Sequence, residues 1–257
     1  MKYKLVLALF LCLMSRGVDA LEGSIKIARG DENYPPMEYM DNGQLTGFHI
    51  ELVNRVFSDL GRSVEYVNLP WKRALWLLEK GHVDAVTFIS KTEARTRFAI
   101  FHPQNIISVS HLAFVRNRLA DTPFPFNGDL ESVKHHRIVV PLGFKFGNQF
   151  DTFPFTKKIE ISGVDSVLRE LANNKNAVAA LSISFGQLEH LKRYAPVAID
   201  SLEVVQPYIA NTDVYIGFSK IKNHEALAES FANAYSALKK TDFYFKLRQK
   251  YQLIESN

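Results

Sequence analysis

Residues 47–88 read GFHIELVNRVFSDLGRSVEYVNLPWKRALWLLEKGHVDAVTF, and this stretch decides the fold class. Leu52, Val53, Val56, Phe57 and Leu60 recur at helical spacing from Phe48 onward, with Glu51 four residues before Arg55 as a supporting pair. Gly61 follows the last apolar position, where a left-handed residue ends a helix. Residues 64–67 then alternate as a strand, Pro70 opens a second amphipathic helix over 71–80, Gly81 closes it, and 84–88 form another short strand. Upstream, residues 25–28 read as the first strand, so the order is βαβαβ, which predicts a parallel α/β sheet.

Further along, the same alternation returns. Residues 112–115 and 138–140 read as strands on either side of a loop with Pro123 and Pro125. A helical stretch is expected from near Gly147, helices over 164–173 and 186–194, and a strand over 177–181. Residues 214–218 form one more strand, the apolar stripe of 223–238 a long helix, and 243–251 a shorter one. Trp76, in mid-helix, reads as core. Two α/β units of this size predict a pocket between lobes.

Composition sets the class: 257 residues, 47% hydrophobic and 23% charged, with a single cysteine, describe a globular chain and exclude disorder or a disulfide scaffold. Lys2 and Lys4 precede the apolar run 5–14, and Val18-Asp19-Ala20 ends in small residues, the pattern of a secretory signal peptide over 1–20 cleaved near Ala20. That run is about half the length of a membrane span. Cys12 lies inside it behind Leu11, which argues against a lipid anchor, and cleavage leaves no cysteine. Residues 1–20 carry Lys2, Lys4 and Arg16 against Asp19, so the formal charge falls from +4 to +2, with basic residues scattered. Such a balance predicts no nucleic-acid partner. His135 and His136 are adjacent, and no histidines pair at i, i+4, so no metal is expected. Nucleophile elbows, phosphate-binding Gly-x-x-x-x-Gly-Lys loops and zinc spacings are missing, so neither a cofactor nor an enzyme is expected.

Several motifs resemble one family. Tyr34-Pro35-Pro36-Met37, Gly43 and the run from Gly47 to Gly61, then Leu78-Glu79-Lys80-Gly81-His82-Val83-Asp84-Ala85, Thr92-Glu93-Ala94-Arg95 and Phe101-His102-Pro103 resemble the family 3 periplasmic solute-binding proteins, whose typical members serve amino-acid uptake. Tyr215-Ile216-Gly217-Phe218-Ser219-Lys220 and the two helices after it resemble that family's C-terminal end. The resemblance implies a two-lobed, type II binding-protein fold, each lobe a sheet flanked by helices. Lobe 1 would comprise residues 21–108 and 213–257, lobe 2 residues 109–212, joined by hinge strands near 106–110 and 209–213. It also implies a monomeric periplasmic protein that closes on a small carboxylate-bearing solute, an amino acid or a relative of one, and presents it to an ABC-type permease. The alternatives are a sensory receptor and a secreted dehydratase or lyase on the same fold.

The resemblance assigns the ligand carboxylate to Arg95, a task that suits a guanidinium because its planar fork donates two parallel charge-assisted bonds. Ser90 matches a position that donates to the same carboxylate, with a satisfied loop hydroxyl as the alternative. Tyr34 and Trp71 match aromatic positions against the ligand, core packing being the alternative for Trp71. Asp31 matches a position that meets cationic side chains; otherwise it is a solvated or capping residue. Two departures stand out. Gly143-Phe144-Lys145-Phe146-Gly147 replaces the family's Gly-Ser/Thr-Thr, which makes Phe144 and Lys145 candidate contacts, and Leu181 or Ser182 stands where an acid would bind an α-ammonium group. A hydroxyl cannot neutralise a buried ammonium, which weighs against a standard α-amino acid at Ser182.

Overall fold

The computed structural model describes residues 23–183 and 200–253; the signal peptide expected over 1–20 and the helix expected over 186–194 lie outside them. In chain order the strands are β1 (Ile25–Gly30), β2 (Tyr39–Asp41), β3 (Gln44–Thr46), β4 (Val64–Leu69), β5 (Ala85–Ser90), β6 (Ala99–Ile100), β7 (Ile106–Asn117), β8 (Arg137–Pro141), β9 (Lys157–Ile161), β10 (Val178–Ile183) and β11 (Leu202–Ser219). Among the described residues the helices are α1 (Phe48–Asp59), α2 (Trp71–Glu79), α3 (Glu93–Thr96), α4 (Asn148–Asp151), α5 (Val164–Asn173), α6 (Glu225–Leu238) and α7 (Asp242–Lys250).

Nine strands form a sheet in the order β4-β1-β5-β11-β7-β10-β8-β9, with β6 alongside β11. Strand β1 pairs in parallel with β4 and β5, as the βαβαβ reading requires. Strand β8 pairs in parallel with β10 and β9. Between these two parallel sets run β7 and β11, antiparallel to each other and to their outer neighbours. Both are long, 12 and 18 residues, so each passes through both halves of the sheet. Only 112–115 of β7 carries a continuous apolar run; Ser108, Ser110 and His111 interrupt the rest, and pairing on both sides makes it a strand regardless.

Each half has its own core. Ile27, Leu52, Val53, Val56, Phe57, Ile216, Phe218 and Phe231 pack together in the first, where α1, β1, β11 and α6 meet. Ala113, Val115, Val139, Val167, Leu168 and Ala179 pack on one face of the second half, Phe114, Phe126, Ile138, Phe146 and Phe150 on the other. Helix α2 contributes Trp71, Ala74 and Leu78 to a further cluster with Val86 and Ile89. That spacing turns Trp76 outward: it is 37% exposed and lies under the Arg73 guanidinium at 3.9 Å, which corrects its reading as core. The helix expected from Gly147 is only the single turn of α4, since Pro154 blocks its continuation.

Gly47, which precedes α1, has φ 122°, and a Cβ there would lie 2.2 Å from the Met37 carbonyl oxygen. Backbone cannot yield as a flexible side chain does. Gly47→Ala is therefore expected to lower unfolding free energy by about 2–3 kcal/mol in urea titration, and a loss under about 0.5 kcal/mol would contradict the clash.

Candidate ligand-binding cavity

Where the two halves of the sheet face each other, one cavity collects residues from both. Its lining is Arg29, Gly30, Glu32, Tyr34, Glu38, Trp71, Phe88, Ser90, Arg95, Phe144, Lys145, Ser182, Thr212 and Val214. About 50 Å³ is open to the centres of water-sized molecules, a narrow space that admits several waters or one small solute.

Arg95 stands in α3, whose first turn is capped by the Thr92 hydroxyl accepting from the Arg95 N–H at 3.2 Å. Its Nη1 donates to the Ser90 carbonyl at 2.9 Å and to Ser90 Oγ at 2.7 Å, and its Nη2 to the Gly143 carbonyl at 3.4 Å. The residue is 5% exposed, and burial pushes its pKa down to about 10 against the opposing pull of Asp151. It thus stays a cation at neutral pH, yet among the described residues no carboxylate forms an ion pair with it. A buried cation whose hydrogen bonds go to carbonyls and a hydroxyl favours an anion beside it.

Aromatic rings enclose the rest. Trp71 lies beneath Arg95 at 5.7 Å and 6.2 Å from Phe144. Tyr34 packs on Phe88 at 4.8 Å, and its hydroxyl donates to the Ser182 carbonyl. The Ser182 hydroxyl is bonded to that of Ser110 on β7. Ser90 Oγ donates to the Lys145 carbonyl at 3.3 Å, while the Lys145 side chain is exposed. Phe88 sits at φ 56°, a conformation that costs a bulky residue energy, and its ring lines the cavity.

Beneath these groups lies a polar network. Arg29, 1% exposed, donates from Nε to Glu38 Oε2 at 3.1 Å, from Nη1 to Asn68 Oδ1 at 3.1 Å and from Nη2 to the Glu32 carbonyl at 2.7 Å. Glu38 Oε1 meets His49 Nδ1 at 3.1 Å, and His49 Nε2 meets Ser108 Oγ on β7 at 2.8 Å. Burial alone would raise the Glu38 pKa, but the His49 hydrogen bond and the charges of His49 and Arg29 outweigh it and hold the carboxyl below its usual range. Arg29 thereby ties down the loop that presents Glu32 and Tyr34.

Seven of the eight residues singled out from sequence, Tyr34, Trp71, Ser90, Arg95, Phe144, Lys145 and Ser182, line this one cavity. Asp31 does not: it is exposed, and its neighbour Glu32 occupies the lining, which corrects the expected placement. Sequence reasoning missed Arg29, Glu32, Glu38, Phe88, Thr212 and Val214. For Arg29 a signal existed, a charge at the end of a buried apolar strand, whereas Phe88 gave none because its backbone conformation is set by its neighbours.

The profile of the bacterial extracellular solute-binding proteins, family 3, matches residues 27–254. The chain belongs to this family. Among the relatives of this solute-binding protein is the probable ABC transporter arginine-binding protein ArtJ of Chlamydia trachomatis serovar D, 24% identical over 228 residues, covering 86% of this chain and 82% of ArtJ. Its fold is that of the two-lobed binding proteins. A histidine kinase sensor domain with similarity to periplasmic binding proteins superposes with a TM-score of 0.72 at 23% identity, covering 89% of this chain and 96% of the other. An ancestral arginine-binding protein bound to glutamine gives 0.74 at 20% identity, with 91% and 99% covered.

Proposed function

We propose that this solute-binding protein holds a small carboxylate-bearing solute, an amino acid or a relative of one, with the carboxylate on Arg95, and delivers it by hinge closure to an ABC-type permease. The buried Arg95 cation without a carboxylate partner among the described residues carries this reading: a ligand carboxylate supplies the missing charge through two charge-assisted bonds. Trp71, Phe144 and Tyr34 then pack on the body of the solute, and Ser90, Lys145 and Ser182 bond its polar edges. Residues 21–108 and 213–257 form lobe 1 and residues 109–212 lobe 2 in this reading. The ligand shifts an open–closed equilibrium only by its extra affinity for the closed form. The protein works as a monomer in the periplasm after cleavage near Ala20, without a cofactor and without nucleic acid. The likeness to a sensor domain supports a second reading, in which a membrane sensor rather than a permease receives the closed form.

Thermal unfolding of ligand-stripped protein against amino acids, amines, small carboxylates and short peptides tests the binding. A ligand at about a hundred times its Kd adds about 2.7 kcal/mol, roughly 5–10 °C if both lobes melt together. A carboxylate recovered unchanged from the complex is the expected result. A hit consumed on incubation would replace binding with lyase chemistry, and hits confined to solutes lacking a carboxylate would remove Arg95 from its role.

A further inference from the structure

A second, larger space opens from the cavity. It is a groove lined by Lys91, Phe146, Asn148, Gln149, Asn211 and Thr212, with about 280 Å³ open to the centres of water-sized molecules against about 50 Å³ in the cavity. The two are continuous at three points of the chain. Ser90 and Lys145 line the cavity while their successors Lys91 and Phe146 line the groove, and Thr212 lines both. Their walls differ in chemistry: rings enclose the cavity, whereas the groove presents the exposed side-chain amides of Asn148 and Gln149, which bond no protein group among the described residues. Among those residues each acid lining the cavity already has a partner. Glu38 is met by Arg29 and His49 at 3.1 Å each. The Glu32 carboxylate lies against the start of α5, where a Cβ on Gly163 would stand 3.0 Å from its Oε1. Asp151, whose charge acts on Arg95, accepts from the Phe146 N–H with both oxygens at 3.2 Å. Ser182 uses its carbonyl for Tyr34 and its hydroxyl for Ser110, and Asp213 lines the groove but not the cavity. An ammonium group beside the ligand carboxylate would thus be buried with no negative side chain left to meet it, whereas an amide nitrogen at that point carries no charge.

We propose that the groove is the second half of the binding site and receives an acyl group carried on the solute's α-nitrogen, so that the ligand is an N-acylated amino acid or the C-terminal end of a short peptide. This rests on the reading that Arg95 receives the carboxylate. The shared chemistry is a carboxylate, a neutral N–H on the adjacent carbon, and a carbonyl leading outward. Carboxylate and α-nitrogen sit on one carbon, so a solute held at Arg95 meets the junction at Thr212 with its acyl group and continues into the groove. There Asn148 and Gln149 each offer a donor and an acceptor, the complement of a peptide group. The single negative charge of such a solute also matches the single cation that lacks an acid, Arg95.

Isothermal titration of the full mature protein with L-leucine, N-acetyl-L-leucine, acetylglycyl-L-leucine and N-acetyl-L-leucinamide, and with the same four forms of phenylalanine, tests it. The N-acetyl acid is expected to bind at least about tenfold more tightly than the free amino acid, equal to about 1.4 kcal/mol. A further gain with the acetylglycyl group identifies a peptide as the source; equal affinity of the two acylated acids identifies an N-acyl amino acid. The double variant Asn148→Ala/Gln149→Ala should weaken the tighter acylated acid by about fivefold, the loss of one or two hydrogen bonds. Its melting temperature without solute should stay within about 2 °C of wild type, because neither amide bonds the protein. A free amino acid bound as tightly as its acetylated form, an affinity for the acylated acids that the double variant leaves unchanged, or no binding of any acylated acid overturns the proposal. The leucinamide, which lacks the carboxylate, separates the two readings. Bound as tightly as the acid, it removes the Arg95 reading; left unbound while L-leucine equals N-acetyl-L-leucine, it shows that the groove assignment alone has failed.

Discussion

Arg95→Ala should weaken binding of the carboxylate ligand by about a hundredfold or more, because the substitution removes a desolvated, charge-assisted anchor that typically contributes 2–5 kcal/mol. The free protein should hardly notice. Arg95 is paired with no acid among the described residues, and the three acceptors it leaves behind, Ser90 O, Ser90 Oγ and Gly143 O, border a cavity that water can enter. The circular-dichroism spectrum and melting temperature of the ligand-free variant should therefore match wild type closely, while titration calorimetry registers the loss. Arg95→Lys should recover only part of the affinity, since an ammonium lacks the planar fork. Unchanged affinity in the alanine variant would remove Arg95 from the site.

The second large effect concerns stability. Arg29 and Glu38 are 1% and 2% exposed and joined at 3.1 Å, so Arg29→Met leaves the buried Glu38 charge without its guanidinium partner. The expected cost is about 3–5 kcal/mol, with the double variant Arg29→Met/Glu38→Leu recovering most of it, because removing both charges leaves nothing uncompensated. Urea denaturation of the three proteins measures this, and a double variant no more stable than the single one would refute it. A pH dependence follows with a definite sign. Glu38 is held below its ordinary 4.5 in the folded protein, so its stabilisation is complete above about pH 4.5 and is lost as pH falls through the lowered folded value. Glu38→Gln should flatten the acid limb of stability against pH; an unaltered slope would assign that limb to other carboxylates.

The fold was largely legible, and for identifiable reasons. The periodicity of Leu52, Val53, Val56 and Phe57 matches the face α1 buries, and Pro70 and Gly81 bracket α2. Strand β9, reading Lys-Lys-Ile-Glu-Ile, was not legible: its lysines belong to an exposed edge, where charge discourages further pairing. Nor was the hairpin of β2 and β3, although Asn42-Gly43, both at positive φ, is the turn such a hairpin prefers. In the cavity, residues within recognisable motifs were legible. Arg29 offered only the signal of a charge ending a buried strand and Glu38 none, since their meaning lies in facing each other and in the His49 between Glu38 and β7. Asp31 and Glu32 differ only in which way the chain turns after β1, a distinction composition does not carry.

Four hydrogen bonds at the cavity share one trait. Tyr34, Ser90 and Arg95 donate to the carbonyls of Ser182, Lys145 and Gly143, and Glu32 accepts from the Val164 N–H; in these four hydrogen bonds among the described residues the partner at 143–182 is main chain. Main-chain groups persist whatever side chain a codon specifies. Mutation at positions 143–145 and 182 can thus retune which molecule is held while the clasp itself stays in place, so preference and shutting can evolve independently.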